Sequence, residues 1–513
     1  MNRTENVPAP AAEDSSTLFP ARTIQILVVV VAVFLLLCIG MAFTRLPDAD
    51  EAHRASEAYT LVHHGHMGLS LVDPTGTWMT GVNRLSYWVM PLYSFLLAGL
   101  FRVGGESLWC MRLWGIALGT VALIAYAVFF GVVFRRPATT LLFAALLGIN
   151  YDFINFTTVA RADMLCLAFG ALGLATYASM RQRSLAGALC LGNLCGAAAC
   201  MTHPYGGLYV VALAGLALTW DRSRISWRLW LLAALPYGVA LFLWSLYIAQ
   251  APDLFVAQFF GNIRAGRLPN QHSILHAITS EFSERYFGYF SGLGGRLPRV
   301  MSLKILITLS YLGSVAYVLT FGRRRPGAKT TAALAVGFGL ALMFLENLKW
   351  YIYLLHILPL FAATLALTVS DLRERFPHWR VWLYGAVAGM LVFNAGVVIS
   401  RIRLNEYRTT FEPVAHYVLE ARHPGDLVRG DGGFAFHLGF DGALIDDFRL
   451  GYYSRRKARI IIMNGRYQEW LNIMKSDDRE VYFYMRALLQ SSCAPRFTRG
   501  QYTVYVCNAV HPD

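Results

Sequence analysis

Charge is scarce in this chain. Of 513 residues only 15% are Asp, Glu, Lys or Arg, while 56% are hydrophobic; a soluble domain carries about a quarter charged residues. That balance excludes an ordinary cytosolic enzyme. An internal repeat and a long low-complexity segment are also missing. No cleavable signal pattern accompanies the first apolar run, which therefore reads as a permanent anchor. The Gly-rich stretch DGGFAFHLGFDG (431–442) lacks the Lys-Ser/Thr pair of a phosphate loop, which argues against nucleotide binding.

Cysteine is sparse too, with 8 in the chain. Cys38, Cys110, Cys166, Cys190, Cys195 and Cys200 fall in apolar segments and read as small packing residues rather than metal ligands. Cys493 and Cys507 lie in a polar tail on either side of a turn-rich APRFTRGQY. An oxidising compartment would permit a disulfide there, with two free thiols as the alternative.

What is plentiful is apolar runs of membrane-crossing length, roughly 17 to 25 residues each. They fall near 24–43, 108–134, 138–150, 163–180, 184–201, 205–220, 229–249, 301–321, 330–346, 350–369 and 381–400. The chain reads as an α-helical polytopic membrane protein with about 11 spans. The excess of 45 Lys+Arg over 31 Asp+Glu suits nucleic acid less than a membrane, because of where the basic residues sit. They collect in every second short loop: Arg135-Arg136, Arg181-Gln182-Arg183, DRSRISWR (221–228), GRRRPGAK (322–329) and DLRERFPHWR (371–380). Such alternation is the positive-inside pattern. It places the N-terminus in the cytoplasm, with residues 1–22 as a disordered tail, 23–400 as the membrane core and 401–513 outside.

Three external segments are too long to be mere connections: 44–107, 250–300 and 401–513. The first holds a polar helix over 48–64, then YWVMPLYSFLLAGLFRV (87–103). Counting that second stretch as a span would invert every later basic loop, so it reads as interfacial or re-entrant. Such backbone is tolerated at membrane depth only beside protein or a watery cavity. The third segment reads as a small α/β domain. Helices are expected at EPVAHYVLEA (412–421) and GRYQEWLNIMKS (465–476), and strands at ARIIIM (458–463), REVYFYM (479–485) and YTVYVC (502–507).

Ionisable residues at or beside spans are functional candidates because burying them is costly. On the external side they are Asp48, Asp50, Glu51, His53 and Arg54; Asp152, Arg161 and Asp163; His203; and Glu346 with Lys349. Carboxylates on one face of the membrane, with cations a few loops away, suit a reaction at the lipid headgroup boundary.

The order of these features resembles the GT-C superfamily of polyprenyl-phosphate-sugar-dependent glycosyltransferases, and within it the protein O-mannosyltransferases and lipid A aminoarabinose transferases. The matching residues are the acidic pair Asp50-Glu51 in DADEAHRASEA, Asp163 in ARADMLCLAFGALGL (160–174), His203 in MTHPYGG (201–207) and Lys349 in NLKWYIYLLHILPL (347–360). In place of the family's Lys-Pro-Pro approach to an amphipathic helix stands NRLSYWVMP (83–91), with Arg84. The resemblance implies a sugar-1-phosphate ester of a polyprenol as donor and a lipid, glycan or protein hydroxyl as acceptor. It also implies periplasmic chemistry in a bacterial inner membrane, with inversion at the anomeric carbon. Asp50 would be the base, with Glu51 and Asp163 supporting the catalytic site, and Lys349, His203 and Arg84 would neutralise the departing phosphate.

Each residue also has a plainer reading. Asp50 and Glu51 are favoured in the first turn of any helix, Asp163 could pair only with Arg161, and His203 could only end its helix. Lys349 could snorkel to the interface, and His356 could be a packed histidine. VHHGH (62–66) reads as a solvated helix end, since no Glu or Cys completes a metal-ligand spacing. No cofactor is expected, and no spacing supports a divalent metal. The competing functional classes are a transporter or flippase of a lipid-linked sugar and a non-catalytic envelope scaffold. The absence of repeats and the one-sided acids count against transport.

Overall fold

The computed structural model describes residues 20–267, 273–291 and 298–508. Most of the tail 1–22, and parts of the 250–300 loop, lie outside the described residues. All eleven expected apolar runs are helical. Seven helices among the described residues are long and apolar enough to cross a membrane, and a bent pair would make an eighth. That pair is α5 (Pro137–Gly148) and α6 (Tyr151–Thr157), joined at 62°.

The core packs around a few long helices. α1 (Ala21–Ala42) leads into α2 (Ala49–His64), α3 (Leu92–Gly104) and the 27-residue α4 (Leu108–Phe134). α7 (Ala162–Met180) packs closely on α4 and on α8 (Leu185–Cys200), which leads to α9 (Gly206–Trp220). Helix Leu358–Arg375 is buried at every position from Leu358 to Val369, as an element enclosed by others should be. α10 (Trp227–Ile248), by contrast, buries only Ala233 and Pro236; its apolar surface faces outward, where lipid is the natural solvent.

One end of this bundle gathers the basic loops. Arg136 pairs with Glu374, Arg325 with Asp371 and Glu374, and Arg181 and Arg224 with Asp221. α4 and α7 run from the opposite end toward that one. Their N-terminal ends, with Arg112 and Asp163, therefore lie where α2 lies. α3 is 13 residues long, too short to cross a bilayer, and it packs against α2.

The C-terminal region carries a five-stranded mixed sheet in the order β2-β1-β3-β5-β4. The strands are β1 (Val428–Arg429), β2 (Leu444–Ile445), β3 (Ile460–Met463), β4 (Cys493–Arg499) and β5 (Tyr502–Cys507). β1 pairs in parallel with β2 and β3, while β5 runs antiparallel to β3 and β4. Helices Glu412–Ala421 and Gly465–Asp477 stand as expected, and Cys493 and Cys507 are disulfide-bonded. One expectation fails: REVYFYM is not a strand but lies in a helix, Arg479–Ala487. Asp478 caps it by accepting from the Val481 N–H, and Val481 and Met485, one turn apart, are its buried face. The sheet region docks on the loop after α2: Asp446 N donates to Leu71 O (2.7 Å) and Ser70 Oγ to Phe440 O (2.7 Å).

Candidate active site

The site begins at the first turn of α2. Asp48 is its N-cap, accepting from Asp50 N (2.9 Å), while Glu51 accepts from Asp48 N (2.8 Å). Capping by both side chains satisfies N–H groups that a helix start leaves open. With the turn fixed, Asp50 and Glu51 point different ways. The Asp50 side chain is 33% exposed and lines a cavity of about 400 Å³. Glu51 is fully buried and does not line the cavity. Its two oxygens take Arg112 Nε and Nη2, both at 2.9 Å, and Oε1 also accepts from Ala160 N (3.1 Å). Arg112 spends its remaining donors on the carbonyls of Ala42, Arg45 and Leu46. The geometry makes Glu51 a fastener joining α2, α4 and the approach to α7.

Arg161, the N-cap position of α7, links Asp50 and Asp163, two of the three carboxylates that line the cavity, the third being Glu346. Nη1 contacts Asp50 Oδ2, and Nε donates to Asp163 Oδ2 at 3.1 Å. All three residues line the cavity, with His203, Trp88, Tyr205 and Tyr353 among the other walls. Burial alone would push the Asp50 carboxyl up, but Arg161 and His53 outweigh it and hold it well below the usual carboxylate range.

His203 Nε2 stands 3.7 Å from Asp163 Oδ1. Asp163, His203 and His356 each offer one ligand atom, and these atoms lie within 4.8 Å of one another. The Tyr205 N–H donates to His203 Nδ1 at 3.3 Å, while Asp163 Oδ1 and His356 Nε2 are buried without a hydrogen bond. His356 is fully buried and Nδ1 meets the Tyr209 hydroxyl at 3.1 Å; it backs the cavity rather than lining it.

A second arm reaches Asp50 from the C-terminal sheet. His53, one turn along α2, has Nδ1 3.8 Å from Asp50 Oδ1 and Nε2 3.3 Å from Asp446 Oδ2. Burial would lower the His53 pKa, yet Asp446 and Asp50 raise it to about 9. Asp431 lies close by, pushed up to about 6 by burial and by the Asp446 charge. The DGGF stretch makes this approach possible. A Cβ at Gly433 would stand 2.9 Å from Pro47 Cβ, and one at Gly432 3.2 Å from Asp446 Oδ2. The glycines serve close packing against the start of α2.

Of the three expected phosphate cations, only His203 lines the cavity. Arg84 is exposed outside it. Lys349 donates to Met343 O (2.5 Å), pairs with Glu281 (3.3 Å) and lines a separate pocket of about 90 Å³. The cavity's cations are instead Arg161 and Arg54. Arg54 donates to Glu57 (2.8 Å) and stacks over Trp88, 4.5 Å from the ring centroid. Glu57, fully buried, also accepts from Ser86, Trp88 and Ser94. Both arginines stand among the external ionisable residues of the sequence, but spacing alone read Arg161 as a local partner of Asp163.

No family model and no curated protein matches the sequence. Solved structures do match the fold. Cupriavidus metallidurans ArnT bound to undecaprenyl phosphate is 13% identical, with a TM-score of 0.58 over 95% of this chain and 99% of that one. The Archaeoglobus fulgidus oligosaccharyltransferase AglB, in complex with an inhibitory peptide and a dolichol-phosphate, is 10% identical, with a TM-score of 0.54 over 94% of this chain and 74% of that one. At these identities the likeness is one of architecture, and it agrees with the layout described above: a polytopic helical core with a small C-terminal sheet domain. The chain shares its fold with these two structures.

Proposed function

We propose that the protein is a membrane glycosyltransferase that moves a sugar from a polyprenyl phosphate to a hydroxyl of a lipid, glycan or protein. One observation carries the reading: in a cavity at one end of a GT-C-like helical core, one arginine joins two of the lining carboxylates, Asp50 and Asp163. Undecaprenyl phosphate and dolichol-phosphate are bound by the two structural neighbours, which supports a donor of the same chemistry here. The positive-inside pattern puts this end of the bundle on the periplasmic face of a bacterial inner membrane, with the N-terminus cytoplasmic.

Asp50 is the base that takes the acceptor hydroxyl proton. A carboxylate held at low pKa by Arg161 is a weak base, and the donor itself corrects this. A phosphate entering beside Arg161 competes for the guanidinium, loosens its hold on Asp50 and lets the carboxylate regain basicity as the reaction begins. Arg161, Arg54 and His203 then face the charge that builds on the leaving phosphate. Asp163 keeps Arg161 aimed. Attack by the hydroxyl on the face opposite the phosphate inverts the anomeric carbon. Trp88, Tyr205, Tyr353 and Trp350 supply aromatic walls for a sugar ring.

The test is transfer by the purified protein from a panel of radiolabelled polyprenyl-phosphate sugars to envelope extract, run beside Asp50→Asn. Transfer is expected from the native protein and a loss of about 10²- to 10⁴-fold in the variant, the usual share of a general base. Full activity in folded Asp50→Asn would remove the base assignment. Movement of the lipid-linked sugar without transfer would favour a flippase.

A further inference from the structure

Within that reading of Asp50 as the base, the C-terminal sheet domain stands too close to be a mere cover. We propose that it completes the active site through one imidazole: Asp446 of the domain fixes the His53 ring, and His53 positions the Asp50 carboxylate toward the cavity.

The geometry is that of a three-member chain. His53 stands between two acids at ion-pair distance, Nε2 3.3 Å from Asp446 Oδ2 and Nδ1 3.8 Å from Asp50 Oδ1. Carboxylates on both sides favour a proton on each ring nitrogen, and the shorter distance, to Asp446, orients the ring. Asp446 is the immobile end. Its carboxylate accepts from the Tyr467 hydroxyl (2.7 Å) and Gly432 N (3.1 Å), and its own N–H is donated to Leu71 O. Asp50, by contrast, is the mobile end, a third exposed and shared with Arg161. Arg161 pulls Oδ2 and His53 faces Oδ1, so the two cations grip opposite oxygens of the same carboxylate.

The charges around His53 support this assignment. Asp50 and Arg54 belong to its own helix, and Arg161 reaches in from the start of α7. Asp446, Asp431 and Arg466 come from the domain. Losing the His53 proton would leave Asp446, Asp431 and Asp50 with one cation fewer among them. When phosphate draws Arg161 away from Asp50, His53 is the group that keeps the carboxylate in place. Asp446 is thus a positioning residue, acting from another part of the chain.

Steady-state kinetics and thermal unfolding of the native protein, Asp446→Asn, His53→Gln and the double variant test it. Asp446→Asn is expected to lower kcat roughly 10- to 100-fold, as misplacement of a catalytic group does, with KM for the donor nearly unchanged. The alkaline limb of its kcat profile should move down from near pH 9 toward the ordinary histidine range. The double variant should be no slower than the slower single one, and Asp446→Glu should recover part of the rate. Unchanged kcat and an unmoved limb in folded Asp446→Asn, or kinetic losses that simply multiply, would overturn the proposal. The unfolding cycle reads the His53–Asp446 contact with no substrate present. A native protein that transfers nothing but shows this coupling would overturn the reading of Asp50 and leave the bridge standing. Absence of coupling would overturn the bridge.

Discussion

Two adjacent acids at the start of α2 carry different burdens. Asp50 is partly exposed on a cavity wall, whereas Glu51 is buried against Arg112 with four donors around it. Removing one partner of a buried pair leaves an uncompensated charge and costs roughly 3–5 kcal/mol. Glu51→Ala is therefore expected to lower the unfolding midpoint sharply in detergent, while Asp50→Asn changes it far less but slows transfer about 10²- to 10⁴-fold. Comparing melting curves with activities for the two variants checks this. Adjacent letters in a sequence cannot reveal the division, because neighbouring helix positions point about 100° apart and only the surroundings say which finds a cavity. Asp50, Asp163 and His203 were legible from residue type and order. Arg84 and Lys349 were not placed correctly, because a cation's usefulness depends on which loop folds over which, and each points elsewhere. His53–Asp446 left no local signal, since its members come from opposite ends of the chain.

At the scale of elements, the start of α2 and the DGGF turn are a matched pair. Small residues on both sides permit an approach that no larger side chain would. A methyl group at Gly433 would meet Pro47 Cβ at 2.9 Å and Asp431 Oδ1 at 3.0 Å, closer than ordinary contact. Gly433→Ala should therefore push the sheet domain off α2, with kcat falling in parallel with Asp446→Asn. Gly442→Ala, where a Cβ meets nothing within 4 Å but φ is +87°, should cost stability through the backbone alone and leave the approach intact. Increased proteolysis near residues 431–446 in the first variant would check the displacement. Helices of the core were readable from hydropathy. The segment 479–485 was misread because Val, Phe and Met alternate with polar and Tyr positions. The decisive signals were also present: Asp478 as cap, and Val481 with Met485 at helical spacing.

For the whole molecule, stability and chemistry are housed apart. The Cys493–Cys507 disulfide joins β4 to β5 at the sheet edge away from α2. Closing a loop of 14 residues constrains the unfolded chain by up to about 3 kcal/mol. Reduction should lower the domain's unfolding temperature while leaving the initial rate of transfer unchanged at temperatures where the domain stays folded. A rate that drops on reduction of the folded protein would place the bridge in the site's own support. The helical core emerged from composition because composition reports on solvent, which acts on every residue alike. The cavity's walls did not, because they are set by long-range docking between helices and the domain.

The docking of Asp446 on α2 has a consequence in time. Asp50 leaves the ribosome among the first residues and can meet the bilayer early, as N-terminal parts fold first during synthesis. Asp446 follows only after every helix of the core. The central strand β3 then waits for its partner β5, residues 502–507. On the proposed reading, a nascent chain already threaded through the membrane is a dormant one, unable to consume donor lipid until β5 is in place.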